Sequence, residues 1–388
     1  MTRLATPTSP SRGDVARSTV ALFVDPPHRG LEDDRLFTLD GGPHARDDVN
    51  APWIHARERV EQAGVRMHTA DLLESGAVEP ADRNLYVSFG PRRRHQRLVS
   101  RFGVVRSAFF AVECPIVDPR LYLDLSSLGR SFNTVYSFST EESLRPFLRA
   151  PVELEQFQLP NAFDSVHPEL WQNRQRGFVT MINANKLPQL TTNELYTERL
   201  RAVEYFNRYG EIDLYGIGWE GPAYRVTASR VPGTARVIAH RARSRWEQLR
   251  PPSDPDRVAA RAAWRGPVAA KADVLGRYTF AICFENMVLE GWVTEKIFDC
   301  FFAGTVPVYL GAPDITRWIP SDCFVDMRAF GSYDELRSFL HELAPAEVDA
   351  YRQAARDYIA SEAYRPFSKH AFAERLAAIV SRDGELGA

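Results

Sequence analysis

The hydrophobic pattern after residue 18 alternates between short apolar runs and stretches with helical spacing. Residues 18–25 read STVALFVD, an apolar and β-branched run before two prolines, which predicts a buried parallel strand. Residues 51–64 place apolar side chains at helical spacing and end on a glycine, which predicts a helix. Further strand candidates lie at 65–69, 84–90 and 106–113. This alternation predicts a doubly wound α/β unit over residues 19–165.

The same alternation starts again after a polar connector at 160–177, so we predict a second α/β unit. Its strand candidates are 178–183, 212–216, 277–284 and 305–311, and its helix candidates are 193–209 and 295–303. Residues 223–267 are rich in Arg, Pro and Ala without a clean period, which predicts an insertion or a mobile loop. The predicted segments are therefore a disordered tail at 1–18, an N-terminal domain at 19–165, a C-terminal domain at 176–350 and a terminal helical segment at 351–382.

Length and composition support two folded domains. The chain has 388 residues, and at roughly 150 residues per domain two domains are the default. Hydrophobic residues make up 44% and charged residues 25%, the usual globular mix. The net charge of −2 excludes a molecule-wide positive field of the kind that binds nucleic acid. The basic residues include only four lysines, which are Lys186, Lys271, Lys296 and Lys369.

Cysteine spacing and terminal composition predict a soluble cytoplasmic protein of bacterial type. The four cysteines show no CxxC spacing, so we expect free thiols in a reducing compartment. The first 18 residues lack the apolar core of a signal peptide. No run approaches the ~18–20 apolar residues that span a bilayer.

The stretch 284–298 carries the richest candidate chemistry. A strand brings Glu285 and Asn286 to its C-terminal end, a glycine turn follows, and a helix begins near Glu295 and Lys296. The first amides of a helix favour anions, so this arrangement predicts a diphosphate site with the lysine as a mobile cation. Glu295 would accept hydrogen bonds from sugar hydroxyls. The alternative interpretation is a first-turn glutamate beside a solvated lysine.

The string FEN-x4-GWVTEKI-x-D-x3-AGTVPVYLG at 284–311 resembles the donor-binding signature of the α-1,3/1,4-fucosyltransferases, glycosyltransferase family 10. Members of that family typically read FEN, then GYVTEK, then a small residue before TVPV. This chain departs mainly by Trp292 in place of tyrosine. Tryptophan keeps an aromatic platform and an N–H donor but loses the phenolic oxygen.

A second similarity lies at Ala111-Val-Glu-Cys-Pro115, at the end of a predicted strand. The family has an E-S-P segment there whose glutamate is the proposed catalytic base, so the resemblance implies that Glu113 is the base. Cys114 replaces the usual serine.

The stretches 178–185 and 212–216 resemble the family's S-N segment and V-D-x-Y-G strand, which points to Asn185 and Gly216. Between them, Arg199 matches the family's phosphate-binding arginine by its distance to the second stretch, with Arg201 as the alternative.

The resemblance implies a GT-B architecture, in which two Rossmann-like α/β domains face each other across a cleft, the first on the acceptor side and the second binding the nucleotide sugar. It implies inverting transfer of L-fucose from GDP-β-L-fucose to a glycan hydroxyl, with an α-1,3-type linkage. Glu113 would take the acceptor proton, while Lys296 and Arg199 stabilise the leaving GDP without a metal or other cofactor. The implied donor-binding residues are Asn185, Arg199, Gly216, Asn286, Trp292, Val293, Thr294, Glu295 and Lys296.

The expected partners are a GDP-sugar and a glycan or glycoconjugate acceptor. Nucleic acid is not expected as a partner, and peripheral association with a membrane is left open. Trp292 and Cys114 leave open a different GDP- or NDP-sugar, transferred to a polysaccharide or natural product. A catalytically silent nucleotide-sugar-binding module is the other alternative.

Other sequence features favour a structural interpretation. Asp254-Pro-Asp256 has the form of a metal-binding DxD motif but predicts a solvated loop, because no strand precedes it. The basic run at 91–97 predicts a solvated helix face, with phosphate or anionic-acceptor binding as the alternative. The isolated His55 and His68 predict packing or surface residues.

Overall fold

The computed structural model describes residues 20–39, 46–90, 94–173, 176–221, 223–225 and 255–384. Within these ranges the chain forms two parallel β-sheets with helices packed on their faces, which agrees with the predicted α/β class. The predicted tail at 1–18 lies outside the described residues. No helix in the described ranges is long and apolar enough to cross a bilayer. The cytoplasmic location stays a prediction.

The first sheet has six parallel strands in the order β2-β1-β3-β4-β5-β6. These strands are β1 (Val20–Asp25), β2 (Arg66–Thr69), β3 (Arg83–Ser88), β4 (Val105–Ala111), β5 (Thr134–Ser137) and β6 (Glu155–Gln156). The apolar run of β1 is buried from Ala21 to Asp25, as expected for a central strand that helices cover on both faces. The chain leaves β1 toward β2 on one side and returns to β3 on the other, so the strand order reverses between β1 and β3.

Helices cover this sheet and complete the N-terminal domain. They are α1 (Ala51–Gln62), α2 (Ala70–Ser75), α3 (Arg94–Phe102), α4 (Pro119–Gly129) and α5 (Glu141–Leu144). Asp118 caps α4 by accepting a hydrogen bond from the Leu121 amide, and Pro119 occupies the first helical position. The helix predicted at 51–64 is confirmed to within two residues.

The second sheet has five parallel strands in the order β13-β12-β11-β7-β9. Its strands are β7 (Gly177–Ile182), β9 (Ile212–Tyr215), β11 (Tyr278–Phe284), β12 (Val306–Leu310) and β13 (Val325–Asp326). A separate parallel pair joins β8 (Lys186–Leu187) to β10 (Tyr224–Arg225). The strand order reverses between β7 and β11, and this reversal is where ligands bind in open α/β sheets.

The helices of the C-terminal half begin with a short turn before β7. They are α6 (Pro168–Trp171), α7 (Tyr196–Asn207), α8 (Pro255–Ala263), α9 (Lys271–Leu275), α10 (Glu295–Ala303), α11 (Tyr333–Glu342), α12 (Pro345–Ile359) and α13 (Lys369–Gly384). Short 3₁₀ turns lie at Arg29–Leu31, Arg35–Phe37, Arg46–Asp48, Arg145–Phe147, Ile315–Arg317, Ser321–Cys323, Met327–Ala329 and Glu362–Phe367.

The loop prediction for 223–267 is wrong at α8. Ala260 and Ala263 are fully buried there, so this helix packs through alanines. The helix itself is amphipathic, but it is only nine residues long, so the surrounding Arg-, Pro- and Ala-rich sequence hides its period over a longer window. Residues 226–254 lie outside the described part of the chain.

The C-terminal helix returns to the N-terminal domain. In α13, Phe372 packs edge-on against Trp53 of α1, with 4.9 Å between ring centroids. The predicted break at 364–367 is present as a 3₁₀ turn, while α12 begins before the predicted terminal segment. At the crossing, the Asn161 amide donates to the Phe367 carbonyl over 2.8 Å, and Asn161 pairs with Ser368 as a parallel bridge.

Candidate functional site

The carboxyl ends of the two sheets lie next to each other. After β4, Cys114 contacts Asn286, which follows β11, with 3.9 Å between the Cys114 sulfur and the Asn286 side-chain nitrogen. Gln189, after β8, donates from its side chain to the Val117 carbonyl over 2.8 Å. Loops that follow parallel strands therefore form both walls of the candidate site.

A pocket that is open to solvent lies at the reversal between β7 and β11. Its polar and charged lining consists of Asn183, Arg199, Lys271, Glu295, Lys296 and Asp299. Apolar and thiol side chains of β7, β11, α9 and α10 form the rest. A pocket that combines an apolar wall with a group of convergent polar side chains is typical of a small-molecule site.

Lys296 is held in place by Glu285. The ammonium donates to a carboxylate oxygen over 2.9 Å and to the Thr294 hydroxyl over 2.8 Å. Glu285 is fully buried and also accepts from the Thr294 amide over 2.9 Å. The lysine side chain stays 26% exposed, so its charge reaches the pocket while its direction is fixed. Although burial alone would lower the pKa of Lys296, Glu285 and Glu295 raise it, so the ammonium stays charged.

Arg199 lies beneath the same pocket, on the inner face of α7. Its guanidinium donates to the Phe284 carbonyl over 2.6 and 3.1 Å and to the Asn183 and Asn286 side-chain oxygens over 3.1 Å each. The residue is 4% exposed, and burial lowers its pKa. Arginine nevertheless remains protonated in proteins, so this is a fixed cation whose hydrogen bonds all go to neutral oxygens.

Arg201, the alternative to Arg199, points away from the pocket. Its side chain is 62% exposed and pairs with Glu198 one turn earlier on the helix, over 3.1 Å. Helical geometry separates the two arginines, because residues two positions apart lie on different faces. The structure therefore places Arg199, not Arg201, at the pocket.

Glu113 lies on the opposite wall, directly after β4. Its side chain is exposed, and its carboxylate has no hydrogen bond or ion pair within the described part of the chain. Desolvation by the surrounding protein raises the pKa of Glu113 to about 7, whereas the charges of Lys296 and Lys186 lower it. The buried Tyr122 hydroxyl donates to the Glu113 backbone carbonyl over 2.6 Å, which fixes the main chain. A carboxyl group of this kind can accept a proton near neutral pH.

The sequence profile described as "Glycosyltransferase family 10 (fucosyltransferase) C-term" matches residues 259–367. This segment contains Glu285, Glu295 and Lys296 together with β11, α10 and β12. Residues 259–367 therefore match the C-terminal region of glycosyltransferase family 10, the family that the signature at 284–311 resembles.

Two named relatives match parts of the chain that are shorter than this segment. An α-(1,3)-fucosyltransferase of Helicobacter pylori is 37% identical over 76 residues, which cover 20% of the chain and 16% of the relative. An α-(1,4)-fucosyltransferase of Arabidopsis thaliana is 33% identical over 84 residues, 20% of the chain and 21% of the relative. The matches thus span about a fifth or less of the relatives' own length.

Similarity to a solved structure extends over nearly the whole fold. An α-glucosyltransferase in complex with UDP and a 13-mer DNA has a TM-score of 0.52 and 12% identity, and the match covers 93% of this chain and 99% of that one. At this identity the similarity concerns the fold alone. Together with the two parallel sheets, it confirms the predicted GT-B architecture.

Three predicted donor residues of the family signature, Trp292, Val293 and Thr294, are buried and do not line the pocket. Trp292 is 2% exposed and packs edge-on against Phe138 at the end of β5, with 4.6 Å between ring centroids. Val293 is fully buried, and its amide donates to the Gly291 carbonyl. The loop that carries the signature therefore packs into the N-terminal domain, and Trp292 contributes to that contact rather than to the pocket wall.

Asn185 and Gly216 do not line the pocket. The Asn185 amide donates to the Gly218 and Gly221 carbonyls over 2.9 and 3.1 Å and accepts from Arg257 over 2.7 Å. Gly216 has a φ of +130° and lies so close to Asn183 that a Cβ atom would stand 2.1 Å from its carbonyl oxygen. Both residues hold loops that support the site.

The structure adds three residues to which the sequence analysis assigned no role in the site. Glu285 is the buried partner of Lys296, and its place directly after a predicted strand was the available signal. Lys271 and Asp299 line the pocket beside Glu295, with 2.8 Å between the Lys271 ammonium and an Asp299 carboxylate oxygen. Burial raises the pKa of Asp299 to about 6, while Lys271 opposes this shift.

The basic run at 91–97 belongs to the fold instead of the pocket, as far as it is described. Arg94 is 11% exposed and binds three carboxylates, those of Asp25, Glu32 and Glu74, over 2.6 to 2.8 Å. The prediction of a solvated face is wrong for Arg94 and for the buried His95, and it fits Gln96 and Arg97, the latter 67% exposed. Residues 91–93 and Asp254 lie outside the described ranges, and Asp256 lies in the first turn of α8.

His68 and His55 match their structural interpretation. The His68 ring lies 2.8 Å from Asp34, and His55 packs edge-on against His370.

Proposed function

We propose that the protein is an inverting glycosyltransferase that moves L-fucose from GDP-β-L-fucose to a glycan hydroxyl, with an α-1,3-type linkage. The observation that carries this proposal is the opposition of Glu113 to the cationic pocket of Lys296 and Arg199. A base and a leaving-group site must lie on opposite sides of the anomeric carbon for inversion. The family match of residues 259–367 and the names of the relatives support fucose as the sugar.

Glu113 is the proposed catalytic base. Its carboxylate would take the proton of the acceptor hydroxyl as that oxygen attacks the anomeric carbon. A pKa of about 7 suits this task, because the group is basic enough to accept the proton and ionised in a useful fraction near neutral pH.

Lys296 and Arg199 are the proposed stabilisers of the leaving GDP. Negative charge develops on the diphosphate as the glycosidic bond breaks, and two preoriented cations lower the energy of that state. The first turn of α10 adds the positive end of a helix dipole. This role needs no metal or other cofactor.

The remaining signature residues are assigned to the donor. Glu295 would accept hydrogen bonds from sugar hydroxyls, and Asn286 would orient Arg199. Thr294 would hold the start of α10 through Glu285, with Val293 as its buried neighbour. Residues further from the pocket, which would act through the loops they support, are Asn185, Gly216 and Trp292.

Release of GDP tests this assignment. The wild-type protein, incubated with GDP-fucose and a panel of glycans, should release GDP and yield a product with inverted, α-linked fucose. E113Q and K296M should each lower turnover by at least about a hundredfold, since each removes a group that acts mainly in the transition state. K369M, which removes a lysine at the domain crossing, is the matched control and should stay near wild type.

Activity that survives both changes would overturn the assigned roles. Thermal shifts with GDP, UDP and dTDP, each with and without its sugar, separate the alternatives, because a ligand of the folded state raises the melting temperature. Stabilisation by UDP or dTDP alone would favour another sugar donor. Binding of GDP-fucose without turnover on any acceptor would favour a silent binding module.

A further inference from the structure

Lys271 lines the pocket although it lies outside the family signature at 284–311. It is the first residue of α9, and its ammonium lies 2.8 Å from an Asp299 carboxylate oxygen and 3.5 Å from one of Glu295. The side chain is 30% exposed, so the ammonium is close to the space that a ligand would fill. An ammonium has three donors, and two point to acidic side chains of α10.

The N-terminal domain holds Lys271 from the other side. The Lys271 backbone amide donates to a carboxylate oxygen of Asp47 over 2.7 Å, which caps the start of α9 across the domain boundary. Asp47 adopts a left-handed conformation, with φ of +57°, and is half-buried. One lysine thus connects the first domain to the acidic side of the pocket.

We propose that Lys271 is a positioning residue that directs the Glu295 carboxylate toward the sugar of the bound donor, and that Asp47 fixes Lys271 in this place. The inference rests on the proposed function, because it assigns Glu295 to the sugar. It adds a residue to the donor site that acts through another.

Charge balance in the pocket explains why Glu295 needs this partner. Glu295 neighbours Lys296 along the chain, and both Lys296 and Lys271 lower its pKa, to about 2, against the effect of burial. Lys296 and Lys271 are the two cations that lower the pKa of Glu295, so without Lys271 the carboxylate is left with Lys296. A Glu295–Lys296 ion pair would turn the carboxylate away from the sugar and compete with the diphosphate for the lysine.

Folding should tolerate the loss of Lys271. Asp299 would lose its partner, but burial already raises its pKa to about 6, so it can become neutral by taking up a proton. K271M/D299N removes the unpaired acid altogether and serves as a second variant.

Calorimetric titration of GDP-fucose and of GDP tests the proposal. K271M should lower the affinity for GDP-fucose by about tenfold, the effect of losing one charge-assisted hydrogen bond. The affinity for GDP should change by less than about threefold. K271M/D299N should behave in the same way, and K369M, the matched lysine control, should bind both as wild type does. D47A should also lower the affinity for GDP-fucose, but by less than K271M does.

Coupling to Glu295 separates a positioning role from a general electrostatic one. In an E295Q background, adding K271M should have little further effect on GDP-fucose, since the group that Lys271 directs is already changed. Additive losses would overturn the proposal, as would an equal loss of GDP and GDP-fucose affinity in K271M, which would make Lys271 a direct diphosphate ligand. A wild-type protein that binds neither nucleotide would overturn the proposed function together with this inference.

Discussion

Lys296 reaches back over the start of its own helix to Glu285, and 2.9 Å separate its ammonium from the buried carboxylate. The glutamate is thereby both an anchor for the lysine and an acceptor for the first turn, through the Thr294 amide. The direction of the lysine charge depends on a residue that does not itself line the pocket.

The first prediction concerns this anchor. Replacement of Glu285 by Gln keeps the shape but removes the charge from a site that accepts several hydrogen bonds. We expect the free energy of unfolding to fall by about 2–3 kcal/mol and turnover of GDP-fucose to fall by at least about tenfold, because Lys296 loses its direction. Urea unfolding and a GDP-release assay measure the two effects.

E374Q is the matched control for E285Q. It neutralises a carboxylate of an exposed pair with Arg365, and exposed pairs contribute at most about 1 kcal/mol. An unchanged turnover in E285Q would contradict the anchoring role.

The second prediction concerns the pH dependence of turnover. If Glu113 acts as the base, only its ionised form is active, and its pKa is raised to about 7. The catalytic efficiency, kcat/KM, should therefore rise about tenfold per pH unit below the pKa of Glu113 and become constant above it. A profile that bends near pH 4.3, the ordinary value for Glu, would mean that Glu113 is not desolvated or not the base.

The third prediction compares two glycines. G216A would place a Cβ atom 2.1 Å from the Asn183 carbonyl oxygen and would displace a residue that binds Arg199. We expect a loss of at least about 3 kcal/mol in unfolding free energy and weaker GDP binding, since backbone must move.

G210A tests the same substitution without the clash. Gly210 has a φ of +67° but open space around its Cα, so alanine should cost only about 1 kcal/mol and leave GDP binding unchanged. Chemical denaturation and calorimetry of both variants would show the difference, and equal losses would speak against the close approach at Gly216.

The fourth prediction concerns the buried arginine of the N-terminal domain. R94M leaves three carboxylates without their shared cation, and Asp25 among them is fully buried. We expect destabilisation by about 3–5 kcal/mol, against less than about 1 kcal/mol for the exposed neighbour R97M. Thermal and urea unfolding at pH 7 measure both; similar values for the two variants would contradict a structural role for Arg94.

The sequence allowed prediction of the parts of the site that are local. Glu295 and Lys296 lie at a helix start because the strand, the turn and the helix are consecutive along the chain. Trp292 was assigned to the donor because the loop lies in the signature, but its direction depends on Phe138, more than 150 positions earlier. Lys271 was missed for a similar reason. Its approach to Glu295 depends on how α9 packs on α10 and on a cap from Asp47, and neither contact leaves a periodic trace.

The pairing of Asn161 with Phe367 and Ser368 joins two segments that are distant in the sequence. The chain passes between the domains at both segments, and a hydrogen bond and a parallel bridge join them. Sliding one domain past the other would break this pairing, whereas bending both segments together would keep it. The two connections therefore act as a single joint, and a movement that strains one of them also strains the other.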